Sequence, residues 1–89
     1  MKQIVKRQGH YETYDGRKLY ASVYAACLSV RVPAMEAEIV AAEVTEYVQG
    51  KIESRSEIPS SLILNTTAAY LDGINPDAAY MYRTHRNLC

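Results

Sequence analysis

Apolar residues recur at helical spacing over most of this chain, and that periodicity constrains the fold more than any single motif. Leu19, Tyr20, Val23, Tyr24, Cys27 and Leu28 fall on one broad stripe of a first helix. Met35, Ile39, Val40, Val44, Tyr47 and Val48 predict the buried face of a second, with Glu36, Glu43 and Glu46 opposite. Pro33 suits the start of that helix, where its missing N–H costs nothing, and Gln49 with Gly50 is its expected end. Leu62, Ile63, Thr66, Ala69 and Tyr70 predict the inner face of a third helix, closed by Leu71, Asp72 and Gly73. Two starts compete for it. Ser54 with Glu57 has capping-box spacing, whereas Ser56 as N-cap leaves Pro59 in the first turn, and the latter is preferred. Asn75-Pro76-Asp77 reads as a turn into a short fourth helix, from about Ala78 to Asn87.

Alternation replaces helical spacing at the start of the chain. Gln3 to Arg7 and His10 to Tyr14 predict two short strands around Gln8 and Gly9, where glycine can take the positive φ of a tight turn. Period two places Ile4 and Lys6 on one face and Val5 and Arg7 on the other. Asp15 is placed to cap the first helix. Lys51 to Glu53 predicts a third short strand joining the hairpin. The expected fold is therefore α+β and mostly α, a four-helix bundle capped by a small three-stranded lid. With 89 residues of which 48% are apolar, one domain spanning 1–89 and one modest core are expected.

Ten basic residues balance ten acidic ones, which weighs against direct DNA binding by phosphate neutralisation. The balance conceals an asymmetry. Lys2, Lys6, Arg7, Arg17 and Lys18 face only Glu12 and Asp15 up to Leu19, whereas the stretch from Glu36 to Glu57 is rich in glutamate. A basic entry and an acidic middle imply a site for a small anion at one end. No apolar run reaches the roughly 20 residues of a membrane span, and Met1-Lys2-Gln3 lacks the apolar core of a signal peptide, so a cytoplasmic protein with no membrane partner is expected. Cys27 and Cys89 form no CxxC, and His10 and His85 lack ligand spacing, so no metal site is read. Catalytic machinery is not read either. No serine stands beside a histidine and an acid, no P-loop pattern occurs, and Glu36, Glu38, Glu43 and Glu46 fit the wet face of a helix.

Chemistry concentrates in the lid. A nucleotide triphosphate needs cations and donors for its phosphates, a flat slot for its base and an acceptor for an amino or ribose group. Lys6, Arg7 and Lys18 can converge if the hairpin folds onto the start of the first helix, whose free amides add partial positive charge. Tyr14 can wall the base, and Glu12 can accept from an adenine amino group or the ribose.

Val5-Lys6-Arg7-x-Gly9 followed by Glu12-x-Tyr14-Asp15-x-x-Lys18-Leu19 resembles the opening signature of the ATP-cone family, which usually has Asp where Gln8 stands. Ser54-Arg55-Ser56-Glu57-Ile58 resembles the family's mid-domain helix start, and Ala79-Tyr80-Met81-Tyr82-Arg83 its closing pattern. The resemblance implies the bundle and lid already described. It also implies a regulatory module that binds ATP or dATP as effector, a magnesium ion being compatible with the triphosphate, and that alters oligomerisation or partner contact without turning nucleotide over. Carried over by position, its contacts fall on Lys6, Arg7, Glu12, Thr13, Tyr14, Asp15, Gly16, Arg17 and Lys18, with Arg55 at the place of a hydroxyl residue. Pro59 stands where many members have a polar residue, and the basic residue of their longer closing helix has no counterpart before Cys89. Such domains open ribonucleotide reductases and sit inside the repressor of the reductase genes, so the implied partner is a second copy of the chain or a ribonucleotide reductase-related protein. Two alternatives remain open: a degenerate cone serving as an interaction module without nucleotide, and a fragment of a nucleotide-responsive repressor.

Overall fold

The computed structural model describes residues 2–6 and 9–86, with side chains to Thr84. Its elements are β1 (Gln3–Val5), β2 (Tyr11–Thr13), α1 (Gly16–Ser29), α2 (Ala34–Ile52), β3 (Glu57–Pro59), α3 (Ser60–Asp72) and α4 (Pro76–Arg86). This is a mostly helical α+β structure with four helices and one three-stranded sheet. The sheet order is β2-β1-β3: β1 runs antiparallel to β2, with Ile4 opposite Glu12, and parallel to β3, with Ile4 opposite Ile58. Gly9 closes the hairpin at φ 82°, its N–H donating to the Lys6 carbonyl while the Lys6 N–H donates to His10. Both strands are shorter than the sequence predicts, and Arg7 and Gln8 lie outside the described residues.

Asp15 caps α1 as expected, its carboxylate accepting from the Arg17 N–H at 2.9 Å. The helix stops where Arg31 takes φ 67° and donates to the Leu28 carbonyl. Its buried line is Leu19, Val23, Ala26 and Cys27, with Tyr20 and Tyr24 half-buried beside it and Leu28 exposed.

The structure corrects the reading of α2. Its buried residues are Ala37, Val40, Ala41, Val44, Val48 and Ile52, while Met35 and Ile39 are 80% and 66% exposed and Tyr47 stands at the surface. Apolar side chains surround more than half of this helix, so periodicity alone does not select a face. Tertiary packing does, and it buries Ala37 and Ala41 while leaving Met35 and Ile39 outside. Pro33 is the N-cap rather than the first helical residue. Nor does α2 end at Gly50. An interior glycine costs about 1 kcal/mol, whereas burying Ile52 completely returns about 1.5–3 kcal/mol. Lys2 then anchors the exit, its ammonium donating to the carbonyls of Glu53 at 2.5 Å and Arg55 at 2.9 Å.

A third strand does join the hairpin, but it is Glu57–Pro59 and not residues 51–53, which belong to α2 and the turn after it. Ile58 is fully buried in it beside Ile4, a gain that outweighs the capping box competing for the same residues. Pro59 is tolerated because β3 is an edge strand. Consequently α3 starts at Ser60, four residues after the expected cap Ser56, and buries Ile63, Thr67, Ala68 and Leu71. Thr66 is only half-buried and Ala69 is exposed. α4 begins at Pro76, with Asn75 Oδ1 accepting from the Ala78 N–H at 3.1 Å, and Asn87 lies outside the described residues. α1 packs against α2 and α4, and α3 against α4, α2 and β3.

Candidate functional site

The pleat of the hairpin determines what faces the helices. Ile4 pairs with Glu12, and the Tyr14 N–H donates to the Lys2 carbonyl, so Ile4, Lys6, Glu12 and Tyr14 share one face. Beneath that face lies a cavity of about 590 Å³, within the range of small-molecule sites. Lys6, Glu12, Thr13, Asp15 and Lys18 line its polar part. Ile4, Leu19, Ala25, Ala26, Ile63 and Met81 line the apolar part, where α1, α3 and α4 meet, and Tyr14, Tyr82 and Ser60 complete the wall.

The polar part is internally paired. Lys6 Nζ stands 3.1 Å from Glu12 Oε1 across the hairpin, with half of the lysine side chain exposed. An incoming anion therefore competes with Glu12 for Lys6. Asp15 accepts from Arg17 through the backbone N–H and, at 3.3 Å, through the guanidinium; these bonds hold its carboxyl below the usual carboxylate range, with Lys18 adding to the effect. The Arg17 side chain is 94% exposed and does not line the cavity.

Tyr14 bridges two environments. Its ring walls the cavity, whereas its hydroxyl is buried and makes no hydrogen bond. Burial raises its pKa, and the side chain of Gln49 is near enough to oppose that rise in part. Gly16 opens α1 against α2: a Cβ there would stand 2.8 Å from Gln49 Nε2.

Of the residues expected from sequence, the structure thus brings Lys6, Glu12, Thr13, Tyr14, Asp15 and Lys18 to one cavity. Gly16 lies behind it and Arg17 outside it. Arg55 is exposed at the α2–β3 turn, where its carbonyl accepts from Lys2, away from the cavity lining. Arg7 lies outside the described residues. Sequence reasoning missed Ser60, Met81, Tyr82 and the small residues of α1. Their signal was present in α1, where Lys18, Ala21, Ser22 and Ala25 recur at helical spacing without the bulk to fill the space beside them.

Among the described residues no group of three or more His, Cys, Asp or Glu is placed to hold a metal, and no helix is long and apolar enough to cross a membrane.

A small sheet thus lies over helices, with Lys6 and Lys18 among the residues lining a largely apolar cavity. The family profile described as ATP cone domain matches residues 2–88, and the chain belongs to that family. It is also 36% identical over 78 residues to the transcriptional repressor NrdR of Roseiflexus sp. (strain RS-1), a match covering 88% of this chain and 49% of that protein. The chain thus spans about half the length of this curated relative. That relative overturns one expectation, namely that zero net charge weighs against direct DNA binding. The charge balance of 89 residues describes only the part of a repressor-like protein that they match, and local charge, not net charge, attracts phosphate.

Proposed function

We propose that this chain is a nucleotide-sensing regulatory domain that binds ATP or dATP in the cavity under the lid. The whole of residues 1–89 acts as one unit in this reading, and its helices form a four-helix bundle beneath the sheet. The carrying observation is the single cavity where Lys6 and Lys18 stand at the polar part and Tyr14 at the wall of an apolar part. Phosphates meet Lys6 and Lys18, with Arg7 as a further cation, and draw Lys6 away from Glu12. The base lies against Tyr14 and the alanine face of α1, and Glu12, once released, accepts from the adenine amino group or the ribose. Magnesium enters with the triphosphate, because the described carboxylates form no cage for it. Membership of the ATP-cone family and the repressor relative support a regulatory role without catalysis.

In this reading the domain does not turn nucleotide over and reports its ligand through contacts that differ between two states, so nucleotide changes self-association or contact with a partner. The relative favours a second, compatible reading of the whole protein: a nucleotide-responsive part of a transcriptional repressor. Calorimetric titration with ATP, dATP and GTP tests the binding. Saturable adenine-nucleotide binding supports the proposal, and none by the folded protein refutes it. Light scattering at several protein concentrations tests the output, and a mass unchanged by saturating nucleotide would exclude self-association.

A further inference from the structure

Near the start of α1 the cavity wall abuts α2. Tyr14 contributes its ring to the wall and sends its hydroxyl out of solvent, where no hydrogen bond is completed. The Thr45 hydroxyl on α2 is likewise buried and unpartnered. One turn further along α2, the Gln49 amide reaches the first turn of α1. It stands 2.8 Å from where a Cβ of residue 16 would be, with Thr45 Cγ2 at 3.7 Å from the same point. Gly16 thus admits Gln49 to this junction, and any larger residue there would displace it.

We propose that Gln49 is a positioning residue for the nucleotide cavity: it holds the Tyr14 ring, and with it the cavity wall, against α2. A glutamine amide both donates and accepts, so it can satisfy the Tyr14 hydroxyl, and a buried hydroxyl left unpaired is unfavourable. Gln49 stands near enough to that hydroxyl to oppose in part the effect of burial on its proton affinity, without closing a hydrogen bond to it. A ligand that presses on the ring moves the hydroxyl toward α2 and completes the bond. Occupancy of the cavity is then felt by α2, the helix that also carries the exposed Met35 and Ile39. This assignment rests on the nucleotide reading above.

A double-mutant cycle with ATP as the probe tests it. Gln49→Leu should weaken ATP binding by about two- to tenfold in the parent protein, the range of one neutral hydrogen bond. In Tyr14→Phe, where the hydroxyl is already absent, the same change should have less than about a twofold effect. Equal losses in both backgrounds, or no loss in the parent, would overturn the proposal. If Gln49→Leu does not fold, Gln49→Met removes the amide at similar length. A nucleotide-free arm separates this proposal from the one it rests on: the NMR signal of Tyr14 Cζ, observed in carbon-labelled protein. If the parent binds no ATP, the nucleotide reading fails and this signal alone decides. A shift on losing the Gln49 amide supports the positioning contact, and an unmoved signal removes it.

Discussion

Among the described residues, two hollows of nearly equal size stand out, about 590 Å³ under the lid and about 570 Å³ between α2 and α3, and only the first of them has a largely apolar wall. The second is lined by Glu43, Glu46, Tyr47, Gly50, Lys51 and Tyr70. Four of those residues interact with one another. Tyr47 and Tyr70 stack at 4.1 Å, the Tyr70 hydroxyl donates to Glu43 at 2.7 Å, and the Lys51 ammonium lies 5.3 Å from the Tyr47 ring centre. Under the lid, Lys6 is held by one half-exposed ion pair and Tyr14 keeps a buried hydroxyl unpaired. Volume does not distinguish the two hollows; the largely apolar wall of the first does.

The largest expected effect concerns the element that covers the first hollow. Ile58 is fully buried and joins β3 to the core, so Ile58→Ala should destabilise the protein by about 2–5 kcal/mol in urea unfolding. A loss far smaller than this would mean that the lid is not held by its third strand. Next, Lys6→Ala should weaken ATP binding roughly tenfold to a hundredfold by calorimetry, as expected for a charged hydrogen bond of about 1.5–3 kcal/mol, whereas Lys51→Ala should leave it unchanged. An equal response to both changes would erase the difference between the hollows. Gly50→Ala should stabilise the protein by about 0.5–1 kcal/mol in the same unfolding assay, because nothing lies within 4 Å of the added Cβ. A destabilised variant would show that the second hollow needs its open floor.

The smallest effect separates the two tyrosines by cause. Tyr14 has its pKa raised chiefly by burial, and Tyr70 chiefly by its hydrogen bond to Glu43. In both cases the folded state holds the proton more tightly than the unfolded chain. That contribution to stability is intact below the unfolded tyrosine pKa of about 10 and is lost as pH rises through the higher folded value. Unfolding followed between about pH 8 and 11 should show a shallower alkaline loss in Tyr14→Phe and in Tyr70→Phe. In a Glu43→Gln background the effect of Tyr70→Phe should shrink and that of Tyr14→Phe persist. A Tyr14 effect that also disappears would contradict burial as its cause.

The same contrast explains how much was legible in the sequence. The hairpin, the Asp15 cap and four helices followed from local chemistry, since a turn glycine and a capping carboxylate act within a few residues. The residues brought together under the lid were also nearly contiguous, from Lys6 to Lys18, so their convergence needed only one hairpin and one helix start. What depended on long-range packing was not legible. The buried face of α2 was set by its packing on α1 and α3, and β3 by the pairing of Ile58 with Ile4, more than fifty residues earlier in the chain. Gln49 looked like a helix end because Gly50 follows it, yet the helix continues to Ile52 and turns Gln49 toward Gly16. Arg31 at φ 67° sits where glycine is usual, a helix end that sequence pattern could not reveal.

Mapping an ATP titration onto backbone amide resonances addresses the central claim most directly, because it reads both hollows in one experiment. The expected result is saturable shifts at Lys6, Glu12, Tyr14 and Lys18, extending to Gln49, with Glu43, Tyr47, Lys51 and Tyr70 little changed. Shifts concentrated at the Tyr47–Tyr70 stack with the lid silent, or no saturable shifts at all in a folded protein, would contradict the account.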